Sequence, residues 1–84
     1  MSQSESEILT KVRAFIEREF LYMRPDFKLN DGDDLMKAGV VDSMGVLEVM
    51  NFLDEEFGVT LNDDEITEAN LGSLQAIARF VAAR

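Results

Sequence analysis

The sequence predicts a small all-α protein, a bundle of three longer helices plus one short helix. Apolar residues recur at helical spacing in three segments, and residues typical of helix starts or ends border each segment. The one extended stretch, residues 59–61, is too short to form a sheet. A chain of 84 residues suffices for one domain, which buries only about 60% of its unfolded surface. We therefore expect a single domain over residues 1–84.

The first helix is expected over residues 5–22. Its apolar face is formed by Ile8, Val12, Phe15, Ile16 and Phe20. Ser4 followed by Glu7 is a capping-box pattern. Pro25 is expected to close the helix off, because the residue before a proline is pushed out of helical geometry. Residues 1–4 are expected to form a disordered tail.

A long connection over residues 24–41 follows the first helix. Residues 33–39 are predicted to form a short helical turn that stops at Gly39. The second helix opens at Asp42 and Ser43, either of which offers a side-chain oxygen to the first unpaired amides.

The second helix has both an apolar and an acidic pattern. Its expected core residues are Leu47, Met50, Leu53 and Phe57, and Gly58 supplies a left-handed exit. Glu48 and Glu55 lie seven residues apart, so they share an exposed stripe with Asn51 between them. This stripe is available to a partner.

The C-terminal third is expected to hold the remaining helices. Residues 59–61 are predicted to be an extended linker whose apolar side chains enter the core, and residues 63–69 to form the short helix. Ser73 is expected to cap the last helix. The apolar face of that helix consists of Leu74, Ile77, Ala78 and Val81.

The charge of the chain indicates which partners it attracts. Its 17 acidic and 8 basic residues give a net charge of −9, which repels nucleic acid and anionic lipid and attracts basic protein surfaces. Between Ala38 and Ala78 there is no lysine or arginine. Nine acidic residues fall in that interval: Asp42, Glu48, Asp54, Glu55, Glu56, Asp63, Asp64, Glu65 and Glu68.

The residue types that are missing argue against an enzyme. There is no cysteine and no histidine, so imidazole catalysis, thiol catalysis and thiolate metal sites are excluded. The acidic clusters at residues 30–34 and 62–65 lack the EF-hand order of ligands, and we expect no metal site. No apolar run approaches the 18 residues of a membrane span, and residues 1–5 lack a signal-peptide pattern, so a soluble cytoplasmic protein is expected. We also expect a monomer.

An Asp-Ser pair at a helix start is by itself more typical of capping than of chemistry. Its surroundings change that interpretation. The segment 38–44, Ala-Gly-Val-Val-Asp-Ser-Met, resembles the modification motif of acyl carrier proteins, in which the serine carries 4′-phosphopantetheine. The resemblance extends in element order over about residues 5–82, and it is most specific over residues 39–61.

The resemblance implies a function and a set of site residues. Ser43 would carry the arm, delivered from coenzyme A by a phosphopantetheinyl transferase with magnesium. Asp42 has two interpretations, as a helix cap or as a contact for the arm or the transferase. The second helix would dock basic patches on the enzymes that load and process the cargo. The residues expected to dock are Met44, Glu48, Asn51, Asp54 and Glu55.

The cargo is less defined than the carrier role. Met44 and Gly45 follow Ser43 where fatty-acid carriers usually have leucine and then aspartate. The string Asp-Ser-Met-Gly resembles D-alanyl carrier proteins, which carry an aminoacyl thioester. Three alternatives stay open: a carrier for a dedicated lipid or secondary-metabolite pathway, an aminoacyl carrier for cell-wall modification, and an unmodified adaptor with the same fold.

Overall fold

The structure is a computed structural model, and it describes residues 4–84. Within that range it is all-helical, as the sequence predicts. The helices are α1 (Glu5–Phe20), α2 (Ser43–Phe57), the short α3 (Glu68–Leu71) and α4 (Leu74–Ala82), with a 3-10 turn (Asp63–Glu65) before α3. Helix α4 packs against both α1 and α3.

The start of α1 confirms the capping box. The Ser4 hydroxyl accepts a hydrogen bond from the Glu7 amide at 3.2 Å, and the Glu7 carboxylate accepts one from the Ser4 amide at 3.3 Å. The rest of the expected tail, residues 1–3, lies outside the described residues. Helix α1 ends at Phe20 rather than at residue 22. Pro25 therefore does not terminate it, because the chain has already turned at Leu21.

The connection between α1 and α2 is fastened to the rest of the fold. The expected helical turn is present, and Gly39 ends it in the left-handed region at φ 73°. Leu35 is buried, and its amide donates to the carbonyl of Gly72 at 2.8 Å. The Gln75 amide donates to the carbonyl of Asp31 at 2.9 Å. Two backbone bonds thus hold this connection against the corner between α3 and α4.

The prediction for the core face of α2 is partly wrong. Leu53 is fully buried, but Leu47 is 57% exposed, and Met50 and Phe57 are only half-buried. Gly45, Val49 and Leu53 instead form the buried stripe, at the four-residue spacing of one helix face. Apolar residues lie on both faces of α2, so the spacing alone did not distinguish the two stripes.

The C-terminal third confirms most expectations and corrects one. Val59 and Leu61 are buried, and the four predicted core residues of α4 are buried as well. The single helix expected over residues 63–69 is instead the 3-10 turn followed by α3. The chain is extended at Thr67, whose hydroxyl accepts from the Asn70 amide at 3.2 Å and so starts a new helix.

Candidate functional site

Ser43 is the first residue of α2, and it is exposed. Its hydroxyl makes no hydrogen bond within the part of the chain that the structure describes. The two residues before Asp42 anchor it: Val40 and Val41 are buried, and their amides both donate to the carbonyl of Leu35, at 3.0 and 3.1 Å. The exposed Ser43 hydroxyl therefore follows a segment that is held by burial and by backbone hydrogen bonds.

Asp42 is the N-cap of α2, which confirms the first of its two interpretations. Its Oδ1 accepts a hydrogen bond from the Gly45 amide at 2.7 Å. The amides of Ser43 and Met44 precede the first intrahelical donor and have no acceptor among residues 4–84. Two unpaired amides and the positive end of the helix dipole favour a phosphate on the neighbouring Ser43 oxygen. The residues present therefore fit a phosphodiester at this position.

The outer face of α2 carries the acidic stripe as predicted. Glu48, Asn51, Asp54 and Glu55 are all exposed, and Met44 is 72% exposed at the start of the same face. Glu48, Asp54 and Glu55 form no ion pair within the described range, although Asp54 accepts a hydrogen bond from the Thr60 hydroxyl at 3.2 Å. These carboxylates are available to a basic partner.

Leu47 is the site residue that the sequence prediction misplaced. It lies beside the acidic stripe and lines a groove of about 500 Å³ together with Met50 and Leu61. Glu48 and Asp54 border the same groove. The outer face of α2 therefore offers apolar area as well as negative charge. The exposure of Leu47 depends on where the other helices pack, and no local pattern reveals it.

The structure also brings a cation to α2. Arg18 and Glu19 of α1 line a cleft together with Glu48 and Glu55 of α2. Phe15 and Phe52 also line it, and their rings stack with centroids 4.1 Å apart. The sequence shows no basic residue near α2, and this neighbour comes from tertiary packing alone. Helix α1 therefore contributes one positive and one negative charge, Arg18 and Glu19, to the cleft beside the acidic stripe.

A second groove, of about 370 Å³, lies between α2, α3 and the turn after residue 33. Met36, Val46, Ile66 and Leu71 give it apolar walls. Val46 stands one turn after Ser43, so the groove begins on the same side of α2.

At the rim of this second groove, a hydrogen bond from the Glu68 carboxyl and backbone bonds from Lys37 and Met36 lower the pKa of Asp34. The same contact with Asp34, together with the negative charge of Asp34, raises the pKa of Glu68. The neighbouring Asp34 therefore favours the protonated form of Glu68.

The model of the family described as "phosphopantetheine attachment site" matches residues 10–81. The chain therefore belongs to that family, whose members carry 4′-phosphopantetheine covalently, and both the resemblance and the cofactor expected from the sequence are confirmed. A comparison with curated proteins found no match.

Two further findings concern the described residues. No helix among them is long and apolar enough to cross a membrane. Residues 4–84 also contain no group of three or more carboxylates positioned to hold a metal ion.

Proposed function

We propose that the protein is a carrier that holds acyl or aminoacyl groups as thioesters on an arm attached to Ser43. The observation that carries this proposal is the geometry of Ser43 within the family match: an exposed hydroxyl at the first position of α2, beside two unpaired amides. The chain has no histidine or cysteine of its own, so a carrier role fits it better than catalysis.

Attachment asks little of this chain beyond the hydroxyl. The Ser43 oxygen forms a bond to the phosphorus at the end of the arm in coenzyme A, and the phosphoanhydride bond breaks. Adenosine 3′,5′-bisphosphate leaves, and the hydroxyl proton passes to a base on the transferase. The terminal thiol of the attached arm supplies the thioester chemistry that a chain without cysteine lacks.

The outer face of α2 is proposed to dock the transferase and the enzymes that load and process the cargo. Glu48, Asp54 and Glu55 would meet basic side chains, while Met44 and Asn51 extend the contact. Charge complementarity of this kind mainly accelerates association and selects partners. The exposed Leu47 adds apolar area at the edge of the same surface.

Two cargo classes are supported by different observations. The acyl class, in a dedicated lipid or secondary-metabolite pathway in the cytoplasm, is favoured by the apolar groove between α2 and α3. The aminoacyl class is favoured by Met44 and Gly45 after Ser43, the string that resembles D-alanyl carriers. The mass of the loaded protein isolated from its source decides between the two.

Intact mass spectrometry tests the attachment. The protein is incubated with coenzyme A, magnesium and a broad-specificity phosphopantetheinyl transferase, and we expect the mass to rise by one arm. Ser43→Ala should show no gain. Ser6→Ala, which removes an exposed hydroxyl from α1, is the matched control and should gain the arm normally. A wild type that stays unmodified would favour the adaptor alternative.

A further inference from the structure

The end of α1 lies directly on the first turn of α2. A Cβ atom at Gly45 would lie 2.8 Å from Cε1 of Phe20, a distance that real Cβ contacts essentially never show. It would also lie 3.1 Å from Cγ1 of Val41 and 3.3 Å from Oδ1 of Asp42. Gly45 is buried and has an ordinary helical backbone, so its conformation does not require glycine. The Phe20 ring occupies the space that a side chain would need.

The same glycine receives the cap of α2. Its amide donates to Asp42 at 2.7 Å, so the aromatic contact and the capping hydrogen bond meet at one residue, two positions after Ser43. The Val41 side chain also packs beside Gly45, and the Val41 amide donates a hydrogen bond to the carbonyl of Leu35 at 3.1 Å. The turn that presents the Ser43 hydroxyl is therefore confined by Phe20, by Val41 and by the Asp42 carboxylate.

We propose that Phe20 and Gly45 are positioning residues for the modification of Ser43: the ring, packed on a glycine, fixes the first turn of α2 for the transferase. This proposal rests on the function proposed for Ser43. It also explains why a glycine occupies position 45 inside a helix: the Phe20 ring of the same chain fills the space that a side chain would need. A side chain at position 45, such as the aspartate usual in fatty-acid carriers, requires the ring to move.

Gly45→Ala distinguishes a positioning role of Gly45 from an effect of helix propensity, because the two predict different outcomes. Propensity alone predicts a firmer helix, because alanine is the better helix former. Positioning predicts that kcat for transfer of the arm to the protein falls roughly tenfold to hundredfold, since a misplacement of about 1 Å has that effect. KM should stay within about twofold, because the exposed acids of α2 are unchanged.

A compensating substitution makes the test specific. Phe20→Leu removes the atom that an added methyl group would meet, so Phe20→Leu with Gly45→Ala should recover most of the lost kcat. Gly32→Ala is the matched control, because a Cβ there meets no atom within 4 Å, and it should leave kcat unchanged. Should Gly45→Ala not fold, Phe20→Leu alone decides the test, with a smaller fall in kcat and an unchanged KM.

Hydrogen exchange in the unmodified protein supplies a readout without the transferase. Gly45→Ala should lower the protection of the Gly45 and Val46 amides, Phe20→Leu should restore it in the double variant, and α4 should stay protected.

Three outcomes decide the proposal. Unchanged kcat and unchanged protection in Gly45→Ala would overturn it. A fall in kcat that Phe20→Leu does not relieve would also overturn it, and would indicate that a group of the transferase needs the space over Gly45. If the wild type gains no arm, the function proposed for Ser43 fails, and the exchange comparison still decides whether the ring fixes the turn.

Discussion

Helices α1 and α2 have nearly the same length, 16 and 15 residues, and each buries one face, but their outer faces differ. On α1 both signs of charge are present, and several pairs are satisfied within the chain: Arg13 pairs with Glu17 and Asp31, and Lys11 pairs with Glu56. On α2 the outer face combines unpaired carboxylates with exposed methionine and leucine.

This difference distinguishes a surface that supports the fold from one suited to partners. Surface charges that are paired within the chain attract an approaching protein less than unpaired charges do. Unpaired carboxylates speed the approach of a basic surface and select for it, and the exposed apolar side chains beside them supply area that a partner can bury. Four comparisons, ordered from the largest expected effect to the smallest, test this distinction.

The two leucines of α2 provide the largest contrast. Leu53 is 0% exposed, so Leu53→Ala should lower the free energy of unfolding by about 3 kcal/mol through lost burial and a cavity. Leu47 is mostly exposed, so Leu47→Ala should change it by less than about 0.5 kcal/mol. Urea unfolding measures both. Similar losses in the two variants would mean that Leu47 is part of the core.

Charge reversal should separate the two helices in function. Glu48→Lys with Glu55→Lys should lower kcat/KM for the phosphopantetheinyl transferase by about tenfold or more at low salt, with the defect shrinking as salt screens the charges. Glu5→Lys with Glu17→Lys makes the same change of charge on α1 and should have little effect. Equal defects in both double variants would show that net charge matters rather than the face of α2.

Asp42 allows its two roles to be measured separately. Asp42→Ala removes the cap and should lower the free energy of unfolding by about 1 kcal/mol. Asp42→Asn keeps a capping oxygen and should restore most of that stability. Transferase kcat/KM for Asp42→Asn then decides the second role: a normal value means that Asp42 is only a cap, and a low value means that its charge also contacts the arm or the transferase.

The smallest effects concern two glutamates near α3. The Asn62 amide, at 2.9 Å from Oε1, and the Arg84 guanidinium, at 2.5 Å from Oε2, lower the pKa of Glu65 below 4.5. Its contribution to stability is therefore present above pH 4.5 and is lost as the pH falls through the lowered value. Glu65→Gln should be less stable than the wild type at pH 7. This difference in stability should shrink as the pH falls through the lowered pKa of Glu65.

Glu68 should behave in the opposite way. Its pKa is raised, so its charged form is disfavoured in the fold, and any stability from its proton is lost as the pH rises through that value. Glu68→Gln removes the charge that Asp34 disfavours and should be at least as stable as the wild type at pH 7. Thermal unfolding of the wild type and both variants from pH 7 down to about pH 2.5 covers the titration of both carboxyl groups. A loss of stability at pH 7 in Glu68→Gln would contradict the raised pKa of Glu68.

Features set by neighbouring residues could be predicted from the sequence. The capping box at Ser4 and Glu7, the stop at Gly39 and the cap at Ser73 each depend on residues within a turn of one another, and all are present. The same holds for the acidic stripe, because two glutamates seven residues apart share a helix face wherever the helix packs.

Features set by packing could not be predicted in this way. Three features depend on how the helices pack: the exposure of Leu47, the cleft that Arg18 and Glu48 line together, and the contact of Phe20 with Gly45. Helix α2 has apolar residues on both faces, so periodicity permitted two orientations, and only the fold selects one. Gly45 was nevertheless detectable as an anomaly, since a glycine inside a helix has a cost that needs a reason.

The hydrogen bond from Leu35 to the carbonyl of Gly72 has a mechanical consequence. The Leu35 carbonyl also accepts hydrogen bonds from the amides of Val40 and Val41. Backbone hydrogen bonds at Leu35 therefore connect Gly72, at the end of α3, with the residue before Asp42. Leu35 is therefore the residue through which the C-terminal end of α3 and the segment before Asp42 are hydrogen-bonded to a common partner. Leu35 is buried, and the hydrogen-exchange rate of its amide reports how often the hydrogen bond to Gly72 opens.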